Sequence, residues 1–547
     1  MDGRLIIRNE RVETAEKLVS GNPATLEPVG EVGLADASLC AEAVRAAKDA
    51  FPVWREMPPR RRGEIFKRAE RILARRAEEA ARLIALEKGS PYAESLAVEV
   101  FGALQALSYY AANQDRLLRP HRARHHVPLF YNKKSSFRFD PLGPTLIISP
   151  WNFPFLIPMS DVMSALTAGN TVVLRPSTTT PLTALLLGEI FLEAGLPPGV
   201  LNVVVCRVPQ AEAMIVHPDI QTVMFTGSVG IGRRIMELCS RNLTNLTLEL
   251  GGKDPMIVLK DADLERAARG AVWTAFLNCG QSCGSIERAY VAREVAEDFT
   301  ARVVELARQV KVGNPLETGI DMGPMANAGQ LKIVEEHIAD ARARGAAVPV
   351  GGRRIDSLPG YFIEPAVLTG VDHSMKIMTE ETFGPTLPIM AFDSPEEAVA
   401  LANDSRYGLT ASVWTRDRRR AAWFAERLEA GSVTVNDHMY SFVEPRAIWG
   451  GIKQTGMGRS HGPYGLHELV DIKYVSLDFF RKKSQLWWFP YDGSLAGILE
   501  KAVVLFHGSV LRDKLRAARG LVAELPRIMA TSPLTNYIKA LPRMLRK

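Results

Sequence analysis

At 547 residues the chain exceeds what a single hydrophobic core supports, and two or three domains are expected. Its 47% hydrophobic and 23% charged residues exclude a wholly disordered or fibrous protein, and five cysteines over this length exclude the dense disulfide framework of a small secreted domain. The formal charge of +6 is concentrated at one end, where residues 481–547 hold 13 Lys plus Arg against 4 Asp plus Glu, so the body is near neutral and no nucleic-acid partner is expected.

In chain order, Met1 to Glu10 sets Arg4, Arg8 and Glu10 around a short apolar run and does not read as a signal peptide. No uninterrupted apolar stretch is long enough to cross a bilayer, so a cytoplasmic location is expected. Residues 36–47 and about 60–115 read as a helical layer. From Pro144 the pattern changes to apolar runs at 145–149, 171–174, 201–205 and 222–225, alternating with helical segments near 158–168, 181–194 and 230–240. Such alternation predicts parallel strands with crossover helices covering both faces. An apolar strand at 244–250 leads to Gly251-Gly252, a hinge-like pair. The rhythm then resumes with strand-like 255–259, 288–292, 410–414 and 432–435 among helix-like 263–276, 295–309, 395–403 and 417–428.

Cys283 stands on a glycine-bearing loop, Asn278-Cys279-Gly280-Gln281-Ser282-Cys283, directly after a helical stretch. A lone cysteine is more often a small buried hydrophobe than a nucleophile, and this one gains weight from its company. Pro150-Trp151-Asn152-Phe153-Pro154, Phe225-Thr226-Gly227-Ser228 with Gly232, Leu248 to Lys253, the cysteine loop, and Glu381-Thr382-Phe383-Gly384-Pro385 follow in order. Together they closely resemble the aldehyde dehydrogenase superfamily, from about residue 20 to about residue 478. The Cys279/Cys283 pair has no second pair or histidine cluster to complete a metal site, and no metal is expected.

The resemblance implies an α/β fold: a Rossmann-like cofactor domain (1–119 and 141–250), an α/β catalytic domain (251–435), and a small β oligomerisation element (120–140 and 464–480). Residues 436–463 would return to the substrate mouth. It further implies that Cys283 attacks the aldehyde carbon, that the Asn152 amide and the Cys283 backbone N–H hold the oxyanion, and that Glu249 activates water against the thioester. The helix opened by Gly227 and Ser228 suits a pyrophosphate. By the same carry-over Glu381 would hold the nicotinamide ribose, Phe383 would line the nicotinamide pocket, and Ile148 and Trp151 would flank the cofactor.

The sequence also departs from the family. Arg175 and Thr178, around Ser177, replace the usual lysine and glutamate of the adenosine-ribose strand, and an arginine there can accommodate a 2′-phosphate, so the cofactor is NAD or NADP. Asp161 and Ser460 stand where many relatives carry a lysine and a glutamate of a proton relay. Phe153, Ile157, Leu277, Ser282 and Trp449, beside the matched motifs, would line substrate entry, a mostly apolar wall suited to an aromatic or medium-to-long aliphatic aldehyde. Arg446 reads as a surface group salt-bridged to Glu444, with carboxylate binding as the alternative.

Residues 481–547 form a basic amphipathic extension with Trp487-Trp488-Phe489 at its start. Its apolar stripes, Leu495, Ile498, Leu499, Val503 and Phe506, then Leu511, Leu515, Leu521 and Leu525, fit packing against the protein's own surface or a partner subunit, or peripheral membrane contact. A homodimer or homotetramer is expected, with strand-like arms at 134–139 and 469–477. Two other readings stand: an acylating enzyme passing the acyl group to coenzyme A, and a non-catalytic nucleotide-binding scaffold.

Overall fold

A strand that is apolar on both faces must be covered on both faces, and the computed structural model is built on two such sheets. It describes residues 2–531 apart from 127–129, 131, 480–482, 484, 486, 487, 490 and 492. The chain divides into two units, residues 1–117 with 141–470, and residues 118–140 with 471–547.

In the first unit one sheet has eight strands, in the order Gly456–Met457, Asn245–Glu249, Thr222–Thr226, Pro144–Ile148, Thr171–Arg175, Leu201–Val203, Leu5–Ile7 and Glu10–Val12. Its five central strands are parallel, in registers such as Phe225 opposite both Leu248 and Ile148, and antiparallel strands close the two edges. The chain runs from Pro144–Ile148 outward in one direction, then returns to place Thr222–Thr226 on the other side. Strand order therefore reverses between those two strands, and the crevice beyond their carboxyl ends is where an open α/β sheet takes a ligand.

The second sheet has seven strands, in the order Ala347–Val350, Ala366–Thr369, Thr386–Phe392, Ile286–Ala292, Asp254–Val258, Thr410–Trp414 and Ser432–Val435. Three of these were absent from the sequence reading. Pro388 interrupts the apolar pattern of Thr386–Phe392, and proline argues against an interior strand, yet here it sits opposite Leu368 in a parallel pair. The first helix, Ala37–Glu56, runs well past the expected end at 47 and through Pro52, because Trp54 is fully buried and its Nε1 donates to the Leu166 carbonyl (3.2 Å). The helical layer expected over about 60–115 comprises Pro59–Arg75, Ala77–Lys88, a π-helical turn Ser95–Val100, and Phe101–Leu117. The N-terminal strands were unread as well, since Leu5–Ile7 and Glu10–Val12 have three residues each and Arg8 and Asn9 turn between them with positive φ.

Buried carboxylates fasten the layers of this unit. Glu87 is wholly buried and accepts from Ser20 Oγ, Thr183 Oγ1 and the backbone N–H groups of Leu182 and Thr183, capping the helix Pro181–Glu193. Glu99 does the same for Phe155 and Leu156, at the start of the helix Leu156–Ala168. Each anion satisfies donors at the positive end of a helix dipole, which is why burial is tolerated.

The second unit holds a three-stranded sheet, Val470–Asp478, Lys133–Pro141 and His121–Ala123 in that order, and then helices Gly493–His507, Leu511–Ala523 and Leu525–Thr531. Its second segment begins at Asp471, and residues 464–470 fall in the first unit. Leu495, Ile498 and Ile528 bury a small core with Leu521, and Lys501 pairs with Glu524 at 3.3 Å. Leu499, Val503, Leu511, Leu515 and Val522 face outward, as do Trp488, Phe489 and Tyr491. The expected stripes are thus each split between core and surface, and Trp487 lies outside the described residues. Among the described residues no helix is long and apolar enough to cross a membrane.

Candidate active site

The nucleophile loop is built from a tight left-handed turn. After the helix Leu264–Phe276, Asn278, Cys279 and Gly280 have φ of 55°, 54° and 70°. At Gly280 a side chain is excluded twice, by that φ and because a Cβ would stand 2.1 Å from the Gly384 carbonyl. The Asn278 amide donates to the Asn152 carbonyl (2.8 Å) and to the Gln281 carbonyl (2.9 Å), while Gln281 Nε2 returns a bond to the Asn278 carbonyl (2.9 Å). Asn152 Nδ2 in turn donates to the Gln281 carbonyl (3.1 Å). The loop and the segment after Pro144–Ile148 are thereby one hydrogen-bonded body, with a second N–H of Asn152 left to donate elsewhere.

One cavity of about 280 Å³ gathers residues that are far apart in the chain: Trp151, Asn152, Gly227, Ser228, Cys283, Glu381 and Phe383 all line it. It sits at the reversal of strand order, with Trp151 and Asn152 following one central strand and Gly227 and Ser228 following its neighbour. Ser228 is the N-cap of Val229–Cys239, an 11-residue helix whose first N–H groups are free for an anion. The Trp151 and Phe383 rings meet edge to face at 5.6 Å. Glu381 accepts from the Gly252 N–H (3.0 Å), and a Cβ on Gly251 would stand 2.2 Å from its Oε2, so the Gly251-Gly252 pair is required by close approach as well as by turning. The donor set, a helix N-terminus, an acidic side chain and two aromatic walls, fits a nicotinamide dinucleotide.

Glu249 ends its strand immediately before the cavity-lining Leu250 and Gly251. Both of its carboxylate oxygens are buried with no hydrogen-bond partner in the structure. Burial, reinforced by the charge of Asp161, pushes its carboxyl up to about 8, and burial alone takes Asp161 to about 7. Cys283 is the only partly exposed cysteine among the five. Its thiol lies above the ordinary value, through burial first and then through the negative charges of Asp254, Glu381 and Glu249. Cys279, four residues away, is instead a buried core thiol against Met325 Sδ (3.4 Å).

The aldehyde-side residues also converge. Phe153, Ile157 and Leu277 pack with Met439, Ser282 Oγ contacts Met439 Sδ at 3.3 Å, and the buried Trp449 meets Phe442 edge to face at 4.9 Å. Ile148 is buried at the end of its strand and does not line the cavity. Arg175 Nη2 donates to the Cys206 carbonyl (2.8 Å) and Ser177 Oγ accepts from Thr179 N–H (3.1 Å), both outside the cavity. The expected Arg446–Glu444 salt bridge is corrected to a backbone contact, since it is the Arg446 N–H, not the guanidinium, that donates to Glu444 Oε1 (3.0 Å).

Sequence reading missed the support of the Glu381–Pro385 loop. Glu287 is buried, receives Lys253 Nζ at 2.6 Å, and accepts from Thr382 N–H (2.8 Å) and Phe383 N–H (2.9 Å). Gln330 Nε2 donates to the Thr382 carbonyl (2.9 Å). These bonds hold Phe383 at a φ of 51°, a conformation costly for an aromatic residue. No local pattern marks Glu287, because a carboxylate on an apolar strand reads as a solvated edge until its lysine is seen.

A thiol and a side-chain amide on one cavity wall, with a buried carboxylate one residue before that wall in the chain, define an α/β protein equipped for covalent chemistry on a carbonyl. Residues 11–475 match the model of the aldehyde dehydrogenase family, and the chain belongs to that family, whose members are oxidoreductases acting on aldehydes. It is 36% identical to retinaldehyde dehydrogenase 3 of Homo sapiens, over 87% of this chain and 92% of that one, and 35% identical to 3-sulfolactaldehyde dehydrogenase of Pseudomonas putida, over 85% and 94%. It spans about half, 51%, of the mitochondrial 10-formyltetrahydrofolate dehydrogenase of Mus musculus, at 35% identity over 85% of this chain. Among solved structures, an NADP-dependent enzyme of E. coli (34% identity, 87% of this chain and 98% of that one) and the NAD+ complex of an aldehyde dehydrogenase from Bacillus cereus (35%, 88% and 97%) each superpose with a TM-score of 0.84.

Glu287→Ala removes the acceptor that fixes the Thr382-Phe383 backbone, and binding of oxidised dinucleotide should weaken by roughly tenfold or more. Titration of tryptophan fluorescence checks this, and unchanged affinity would contradict the role given to Glu287.

Proposed function

We propose that the protein oxidises an aldehyde to a carboxylic acid through a covalent intermediate on Cys283, with NAD or NADP as cofactor. The observation that carries this reading is the shared cavity wall of Cys283 and Asn152, with the buried Glu249 one residue before the cavity-lining Leu250. Cys283 Sγ releases its proton to solvent and bonds as the thiolate to the aldehyde carbon, the C=O π electrons moving to oxygen to give a hemithioacetal oxyanion. The free N–H of Asn152 and the Cys283 backbone N–H donate to that oxygen, and one such donor is worth on the order of 100-fold in turnover. A nicotinamide dinucleotide, when bound, supplies the acceptor for the hydride that leaves the former aldehyde carbon. Trp151, Ser228, Glu381 and Phe383 would hold it, with Glu381 at the ribose and the helix N-terminus at the pyrophosphate.

The thioester left on Cys283 is resolved by water. Glu249 takes a proton from that water as the new C–O bond forms, the C–S bond breaks, and the thiolate is released. Only ionised Glu249 serves as base, so with a carboxyl near 8 the hydrolytic step should speed up as pH rises through that value. Asp161, where a lysine would have stabilised the anion, is instead a second carboxyl that opposes it. A base for water supports hydrolysis over transfer to coenzyme A.

The apolar cluster of Phe153, Ile157, Leu277 and Met439, joined to Trp449 through Phe442, favours an aromatic or medium-to-long aliphatic aldehyde. The location is read as cytoplasmic and the assembly as a homodimer or homotetramer. Peripheral membrane contact is supported by the exposed Leu511, Leu515 and Val522, which form one stripe of the helix Leu511–Ala523, flanked by Arg512, Lys514 and Arg519.

Cys283→Ala should abolish aldehyde oxidation while leaving nucleotide binding intact, and Glu249→Gln should give a burst of reduced nucleotide followed by a stalled steady state. Stopped-flow absorbance of the reduced cofactor across pH checks both, and wild-type turnover in Cys283→Ala would refute the mechanism. The full-length protein should pellet with anionic but not zwitterionic vesicles at low salt, and Leu511→Glu combined with Leu515→Glu should release it. Equal sedimentation of the two forms would remove the membrane contact.

A further inference from the structure

A lysine at the end of a helix suits the helix dipole and usually reaches water, yet Lys88, the last residue of Ala77–Lys88, is 1% exposed and turns inward. Its Nζ stands 3.3 Å from Glu99 Oε1, 3.9 Å from Glu94 Oε1 and 4.9 Å from the centre of the Phe153 ring. Glu99 is as buried as the lysine, and Glu94 is 9% exposed. The two carboxylates come from positions five apart, a spacing that an α-helix splays around its axis and a π turn brings towards one face. The turn Ser95–Val100 is of that kind, with the Phe101 N–H reaching the Leu96 carbonyl.

Each carboxylate keeps its second oxygen for the backbone of the active site. Glu94 Oε2 accepts from the Asn278 N–H (3.0 Å), on the left-handed turn that leads to Cys283. Glu99 Oε2 accepts from the Phe155 N–H (2.8 Å) and the Leu156 N–H (3.2 Å), in the segment that carries Asn152. Lys88 therefore joins the two chain segments whose groups must meet at the substrate oxygen, the Asn152 amide and the Cys283 backbone N–H. We propose that Lys88 is a positioning residue for aldehyde oxidation at Cys283, pairing with Glu94 and Glu99 and thereby holding the two oxyanion donors at a fixed spacing. The inference rests on that oxidation. Burial pushes both carboxyls above the ordinary value, and the charge of Lys88 is the foremost influence the other way. With the cation gone the anchors take up a proton, and a neutral carboxyl holds a backbone N–H roughly half as strongly as a carboxylate does. The positive φ of Asn278 and Cys279 then loses part of what sustains it.

The test is the single-turnover rate of nucleotide reduction by the full-length protein with hexanal and saturating nucleotide, measured well below the melting temperature. Lys88→Met, which keeps the length of the side chain and removes its charge, should slow that step by about tenfold or more, part of the roughly 100-fold that an absent oxyanion donor costs, with the dinucleotide dissociation constant unchanged. A merely structural lysine would lower the melting temperature and leave the rate of the folded protein as it is. Should Lys88→Met not fold, Glu94→Gln provides the readout, since it keeps an acceptor for the Asn278 N–H, drops the charge that faces Lys88, and should slow the same step by about threefold or more. A wild-type rate in the variant that is read, or a slower one matched by an equal loss of dinucleotide affinity, would overturn the role of Lys88. No nucleotide reduction by the wild type, with hexanal or benzaldehyde and either nucleotide, would instead overturn the reading of aldehyde oxidation itself.

Discussion

The left-handed turn at Asn278, Cys279 and Gly280 is the constraint around which the site is arranged. Two non-glycine residues in succession at positive φ cost on the order of 1–2 kcal/mol each, and the turn persists because side-chain amides over-determine it. Asn278 and Gln281 bond each other's backbone, Asn278 reaches across to the segment after Pro144–Ile148, and Glu94 holds the Asn278 N–H. Gly280 then passes against the Gly384 carbonyl with no room for a methyl group. Cys283, Asn152 and the Glu381–Pro385 loop take their relative places from that one packed turn.

Buried carboxylates extend the same logic outward. Glu87, Glu99 and Glu287 each accept two backbone N–H groups, and each fixes a segment that the sheets alone would leave free. Their positions tie the N-terminal helices and the second sheet to the crevice without contributing a reacting atom. Glu249 differs from all three in accepting no backbone N–H, and burial together with the charge of Asp161 raises its carboxyl to about 8. A carboxylate that is satisfied supports structure, whereas one left unsatisfied beside a cavity is available for proton transfer.

The parallel strands after Pro144 were legible because they are apolar throughout, and the motifs at Asn152, Gly227, Glu249, Cys283 and Glu381 were legible because they recur as a set. The structure brings Asn152, Gly227, Cys283 and Glu381 to one wall, and Phe153, Ile157 and Leu277 to one cluster. Less was legible where tertiary contacts override local preference. Pro388 hid an interior strand, Trp54 carried a helix through Pro52, and the three-residue strands near Arg8 were too short to show a period. Glu94, Glu287 and Met439 could not be found from spacing, since each acquires its place from a partner distant in the chain.

The account stands on a carbon–sulfur bond at one cysteine, in a loop that offers two. Trapping the Glu249→Gln protein with an aldehyde and oxidised nucleotide, followed by peptide mass spectrometry, locates the acyl group directly. An adduct of the acid's acyl mass on Cys283, with Cys279 unmodified, is the predicted result. Turnover with no acyl adduct on Cys283, or an adduct on Cys279 instead, would contradict it.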